Sequence, residues 1–270
     1  MRRKIHAYAR DEAVIPRELK QHPVYRTPGL SFRPLPFTGP TDACGRVPEP
    51  GELHLWRYRP QWNAASRQDN AWIVSDSEQS RARRGYSPAL RKRYLTGRAL
   101  LRSILSSMLT CPPERLQIKD SPDGQPELVH PVPPRKLTIQ VAYAGIWILI
   151  GMGATEFDMH AAAPLADDLP PDWRPPGQSG EGGGVARSGH EVAAGAQGFV
   201  HRTTAAAICD RPATDPLPEP GARSGAVLTT EEPGGGDLQV IDLPMPGRLS
   251  AAVATREPVS SILAYGWCRN

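Results

Sequence analysis

An α+β fold is predicted for this 270-residue chain by three features. One long helical stretch carries an apolar stripe, short strand-like runs lie on both sides of it, and a Gly- and Pro-rich interval separates the last three runs from the rest. The first fifty residues carry Pro16, Pro23, Pro28, Pro34, Pro36, Pro40, Pro48 and Pro50 with no sustained period. They are expected to be an extended or disordered leader. Regular pattern begins at residues 52–58, where Leu53, Leu55 and Arg57 alternate with His54, Trp56 and Tyr58 in the manner of a strand ended by Pro60.

Ser87-Pro88 reads as a helix start, with Ser as N-cap and Pro at the first helical position, where a missing N–H costs nothing. The spacing of Leu90, Tyr94, Leu101, Ile104, Leu105 and Met108 predicts a helix to about residue 110, with Gly97 spanning one longer gap and Pro112-Pro113 ending it. A short strand follows from Leu116, then a turn at Ser121-Pro122-Asp123-Gly124. Residues 137–143 and 146–152 read as a hairpin pivoting on Ala144-Gly145. Between residues 164 and 236, 23 of 73 positions are Gly or Pro, so this interval is expected to be a linker or a degraded helical layer. Strand-like runs resume at 238–243, 249–255 and 259–267.

Composition narrows the function classes. The longest apolar run, Ile146 to Met152, falls far short of the roughly 18 residues that read as a membrane-spanning helix, so no span is expected. Met1-Arg2-Arg3-Lys4 is basic but is followed by Asp11 and Glu12 with no apolar segment of signal-peptide type, which points to a cytoplasmic location. Cys44, Cys111, Cys209 and Cys268 lie far apart and form no paired zinc or redox motif. The net charge is +4, and 27 of the 32 basic residues are Arg; no lysine follows Lys136. The Gly182-Gly183-Gly184 and Gly234-Gly235-Gly236 tracts lack the strand before and the Gly-Lys-Ser/Thr after that a phosphate loop requires.

Three segments together resemble the first half of a surfactin-type 4′-phosphopantetheinyl transferase. These are Arg91-Lys92-Arg93-Tyr94-Leu95-Thr96-Gly97-Arg98-Ala99-Leu100-Leu101-Arg102, then Cys111-Pro112-Pro113-Glu114-Arg115-Leu116, then Asp123-Gly124-Gln125-Pro126-Glu127-Leu128. The hairpin Ile139 to Trp147 sits where that family has Asn-x-Ser-His-Ser, and Glu156-Phe157-Asp158-Met159-His160 where it has Gly-Val-Asp-Ile-Glu; residues 238–267 resemble its closing strands. The resemblance implies a pseudo-twofold α+β fold with two sheet-and-helix halves, at about 51–136 and 137–270. It implies transfer of the phosphopantetheine arm from coenzyme A to a serine of an acyl or peptidyl carrier protein, with Mg²⁺ on the pyrophosphate held by carboxylates.

Read residue by residue, the resemblance implies Arg93 as a phosphate contact and Asp158 as a metal ligand and catalytic residue. Other positions depart from it. Gln125 stands where Lys is usual, Gln140 replaces Asn, and Ala142, Tyr143 and Ala144 replace Ser, His and Ser. His160 replaces the second acid, exchanging a hard oxygen for a nitrogen that suits softer metals. The family's Trp-x-x-Lys-Glu-Ala helix is missing, with Phe199 to Thr204 at its expected distance. Candidate site residues are therefore Arg93, Gln125 and Tyr143 for coenzyme A, and Asp158 with His160 for a metal. Tyr143 has two readings, packing in the vacated histidine space or donating its hydroxyl to a ligand.

The run from Arg81 to Arg102 holds eight cations and no acid, a field that attracts anions. Coenzyme A phosphates or an acidic carrier protein suit it better than nucleic acid, since no nucleic-acid motif accompanies the run. Each lost contact to a transferring phosphoryl group costs on the order of 10²–10³ in rate, so the departures imply impaired transfer. Two alternatives stand beside an active enzyme: a non-catalytic pseudoenzyme that binds a carrier protein or coenzyme A, and a decayed gene product in which residues 164–236 come from a shifted reading frame.

Overall fold

The computed structural model describes residues 14–37, 39, 45–60, 73–84, 87–122, 124–162, 200, 223–231 and 237–268. In chain order these form a short helix α1 (Arg17–Lys20), β1 (Ser31–Leu35), β2 (Glu52–Tyr58), α2 (Asp76–Arg83), α3 (Pro88–Leu109), β3 (Gln117–Asp120), β4 (Pro126–His130), β5 (Thr138–Ala144), β6 (Trp147–Gly153), β7 (Phe157–Ala162), β8 (Arg223–Ser224), β9 (Val227–Glu231), β10 (Asp237–Asp242), β11 (Ser250–Thr255) and β12 (Ser261–Tyr265). The architecture is α+β, as the sequence predicts. Among the described residues, no helix is long and apolar enough to cross a membrane.

The first sheet has the order β1-β12-β2-β6-β5, with β1, β12 and β2 parallel and β2, β6 and β5 antiparallel. The second sheet, β7-β11-β10-β9-β8, is antiparallel throughout. β2 lies in the middle of the first sheet and is buried on both faces rather than half-exposed. Leu53 and Leu55 face a core shared with Phe157, Met159, Ile241 and Val253 of the second sheet. Trp56 faces Leu100, Leu101, Ile104 and Leu105 of α3, together with Ile148 and Ile150. The first sheet is thus covered by α3 on one side and by the second sheet on the other. Gly151 and Gly153 of β6 admit the Phe157 ring on the sheet side, for a Cβ at Gly151 would lie 2.9 Å from that ring.

Several expectations are revised. The leader is not featureless: β1, within the first fifty residues, pairs in parallel with β12 over Ser31–Leu35, because Phe32 buries against Trp267 and Tyr25. β5 and β6, which follow residue 136, extend the first sheet from β2. Likewise β12 joins the first sheet rather than the second. Most of 164–236 lies outside the described residues, but β8 and β9 fall within it and extend the second sheet. Leu90, expected on the core stripe of α3, is 42% exposed, since the buried residues of the helix begin only at Gly97. Cys111 and Cys268 are free thiols; Cys44 and Cys209 lie outside the described residues.

Arg57 joins the two sheets. Its guanidinium is stacked between Trp147 and Trp267, 5.1 and 4.8 Å from the ring centroids. It donates to the carbonyl of Gly266 at 2.8 Å and to that of Pro244, in the β10–β11 connection, at 3.3 Å. Burial pulls its pKa down to about 10 and pushes that of neighbouring Tyr25 up to about 12. Gly266 has φ +86, and a Cβ there would lie 2.2 Å from the Arg57 carbonyl oxygen, so only glycine fits that turn.

His54, on the other face of β2, is fully buried beside Trp56 and Tyr265. Burial lowers its pKa below the ordinary 6.5, against an opposing pull from Glu52, whose carboxylate lies 3.2 Å from Nε2. A lowered folded-state pKa means the unfolded chain binds the proton more readily, so stability present above pH 6.5 is lost as pH falls through the lower folded value. Urea unfolding between pH 7 and pH 5 is expected to show a smaller loss of stability in His54→Gln than in the wild type. Equal losses would mean that His54 does not carry this dependence.

Candidate anion-binding groove

The basic run of α2 and α3 divides into two sets. Ser75 caps α2 through a capping box with Glu78, which brings the Glu78 carboxylate, buried to 3% exposure, beneath α3. There Oε2 accepts from Nε of Arg102 at 2.9 Å, and Oε1 lies 3.8 Å from Nε of Arg98. Arg102 also donates through Nη1 to the carbonyls of Pro113 and Leu116, both at 2.9 Å, tying down the chain that leaves α3. Asp120 of β3 pairs with both Arg98 and Arg81. Three of the eight cations are therefore paired internally, sharing two carboxylates. The sequence reading missed this because Glu78 lies just before the basic window and Asp120 well after it; Ser75-x-x-Glu78 was the available signal.

Arg93 differs. Its Nη1 donates to the Gly145 carbonyl in the β5–β6 turn at 2.7 Å, and its guanidinium lies 5.0 Å from the centroid of the Tyr143 ring. No carboxylate partners it among the described residues. It is a cation oriented by a carbonyl and a ring, whereas Arg83, Arg84 and Arg91 are exposed. Beside it lies an open groove of about 480 Å³ lined by Pro88, Leu90, Lys92, Arg93, Gly145 and Ile146. Leu90 and Ile146 are 42% and 41% exposed there. An anion attached to an apolar group matches these walls. Gly145, with φ +56, allows the tight turn that presents its carbonyl to Arg93.

The other predicted residues are placed as follows. Gln125 is occupied by the fold: its Oε1 accepts from the Val141 N–H at 2.8 Å, satisfying the free edge of β5 and tethering the β3–β4 hairpin to the first sheet. Asp158 and His160 come together on β7, Nε2 to Oδ2 2.8 Å, with Asp158 buried. Phe157 and Met159 point to the shared core between the sheets, so Asp158 and His160 occupy the opposite face of β7, in register with Ala254 and Ala252. The structure thus forms two pairs, Arg93 with Tyr143 and Asp158 with His160, on different faces.

Mg²⁺ prefers octahedral oxygen coordination. The Asp158–His160 pair offers one carboxylate, one of whose oxygens is already in contact with an imidazole. Among the described residues, no three His, Cys, Asp or Glu side chains cluster to hold a metal. These residues do not fit the ion, and no catalytic step through it follows from them.

No protein-family model matches the chain. Over 77 residues, 28% of its length, it is 38% identical to the 4′-phosphopantetheinyl transferase HetI of Nostoc sp.. Over 80 residues, 30% of its length, it is 38% identical to a Synechocystis sp. protein provisionally given the same enzyme name. The matched stretch spans 32% of the length of each relative.

Glu78→Gln tests the internal neutralisation. Removing the charge beneath two buried guanidinium groups is expected to lower unfolding free energy by on the order of 3 kcal/mol, read from urea midpoints. A change below about 0.5 kcal/mol, the range of an ordinary surface substitution, would show that the carboxylate does not hold α2 to α3.

Proposed function

We propose that this is a phosphopantetheinyl-transferase-like protein that binds coenzyme A through a phosphate at Arg93 and has lost efficient transfer of the phosphopantetheine arm. The observation that carries the reading is the contrast within one basic run: Arg81, Arg98 and Arg102 are paired to Glu78 and Asp120, while Arg93 is fixed at a groove without a carboxylate partner among the described residues. A guanidinium held in this way presents its remaining donors in a fork that suits phosphate. Leu90 and Ile146 add the apolar surface an adenosine or pantetheine group would cover.

Impaired transfer follows from what surrounds the cation. The hydroxyl and imidazole donors of the family pattern are replaced by Ala142, Tyr143 and Ala144, and Gln125 is committed to the edge of β5. Carboxylate ligation of Mg²⁺ is reduced to Asp158, paired with His160. The proposed partner is an acyl or peptidyl carrier protein, bound without efficient turnover. The reading extends to a pseudo-twofold arrangement of the two five-stranded sheets. Its support is α3 on the first sheet and Val200, which packs with Leu238, Val240 and Ala254 on the outer face of the second.

Two measurements test this. Calorimetric titration of coenzyme A is expected to show about 30-fold weaker binding for Arg93→Ala than for the wild type, the loss of a charge-assisted hydrogen-bonded contact. Equal affinities would remove Arg93 from the site. Incubation with coenzyme A, Mg²⁺ and apo carrier protein is expected to give no phosphopantetheine mass gain on the carrier. Robust transfer abolished by Asp158→Ala would contradict the loss of activity.

A further inference from the structure

The residue between α3 and the β5–β6 turn is Tyr143, and its surroundings distinguish the two roles open to it. Its ring forms one face of the Arg93 environment, at 5.0 Å from the guanidinium carbon. Its hydroxyl end reaches across to α3 at Gly97, where a Cβ would lie 2.7 Å from the phenolic oxygen and 3.4 Å from the ring carbons. Gly97 is buried inside a 22-residue helix and lacks a positive φ, so backbone conformation does not require glycine there. Glycine inside a helix is otherwise unfavourable relative to alanine. The close approach of Tyr143 supplies its reason.

We infer that Tyr143 is a positioning residue for Arg93, and that Gly97 is the seat that admits it. This inference rests on the reading of Arg93 as the phosphate contact. An arginine side chain in solution has many rotamers, and ordering it weakens whatever it binds. Here the ring takes one face of the guanidinium and the Gly145 carbonyl takes Nη1. Nε and Nη2 remain as donors for a phosphate, in the planar fork of a guanidinium held at two other points. Tyr143 therefore acts through Arg93 and not by touching the anion. Its aromatic face is the functional feature and its hydroxyl is secondary, since the attraction of a cation to a ring resides in the π-system.

Calorimetric titration of coenzyme A against variants of the full chain tests this. Tyr143→Phe, which keeps the ring, is expected to bind within about twofold of wild type; Tyr143→Ala is expected to bind roughly tenfold more weakly, the worth of a partly desolvated cation–π contact. Gly97→Ala, which displaces the ring, should weaken binding as Tyr143→Ala does. In the Arg93→Ala background, Tyr143→Ala should add no further loss. Wild-type affinity in Tyr143→Ala, or an undiminished loss in the Arg93→Ala background, would overturn the inference, the second by showing direct contact with the ligand. Should coenzyme A fail to bind the wild type, the coenzyme A reading falls. The positioning role is then decided on the free protein by ¹⁵N relaxation of the Arg93 side chain. Lower order in Tyr143→Ala but not in Tyr143→Phe supports it, and unchanged order in both overturns it.

Discussion

The buried carboxylate of Glu78 is the constraint on which the arrangement of charge in this protein depends. It sits at 3% exposure under Arg98 and Arg102, held by Ser75 through both its N–H and its hydroxyl. A buried carboxylate is costly unless paired and hydrogen-bonded, and a buried guanidinium carries the same requirement. Satisfying them together joins α2, α3 and the segment after α3, with Asp120 of β3 completing the cluster. The consequence is directional. With the middle of α3 tied to α2 by Glu78 and packed on the first sheet through Leu100, Leu101 and Ile104, its first turns bring Arg93 to Tyr143 and the β5–β6 turn.

A second constraint fixes the layers. β2 is buried on both faces, so each residue must suit a different neighbour: Leu53 and Leu55 the second sheet, Trp56 the helix. Arg57 would be an unfavourable occupant of such a strand, but two indole rings and two carbonyl acceptors supply its partners. The aromatic faces replace the carboxylate that buried arginines usually require. Glycine serves the same packing economy in three places: at Gly151 and Gly153 for Phe157, at Gly266 for the Arg57 carbonyl, and at Gly97 for Tyr143.

Much of the local structure was legible in the sequence because it depends on local chemistry. Ser87-Pro88, Pro112-Pro113 and the Ala144-Gly145 pivot announce the ends of α3 and the position of the hairpin, and the structure has α3 at Pro88–Leu109 with strands meeting at Ala144 and Trp147. What was not legible depends on contacts distant in the chain. β1 reads as a proline-rich leader because its strand character comes from pairing with β12, 230 positions away in the register Ser31↔Ser261. Gln125 reads as a coenzyme A contact in a lysine's place, whereas its amide is spent on the edge of β5. The basic run reads as uniform because the acids that divide it come from outside the window. Arg93 and Tyr143 could be named from the resemblance, but their mutual contact, with the glycine beneath, required the fold.

The central claim is that Arg93 is held for an external anion while Arg81, Arg98 and Arg102 of the same basic run are committed to Glu78 and Asp120. It is tested most directly by following the arginine Nε–H resonances of the isotopically labelled protein while coenzyme A is added. The account predicts that the Arg93 resonance shifts in a saturable manner, while those of Arg81, Arg98 and Arg102 stay in place. A shift of Arg98 or Arg102 with Arg93 unmoved would contradict it, since the anion would then be reaching cations that Glu78 and Asp120 are required to hold.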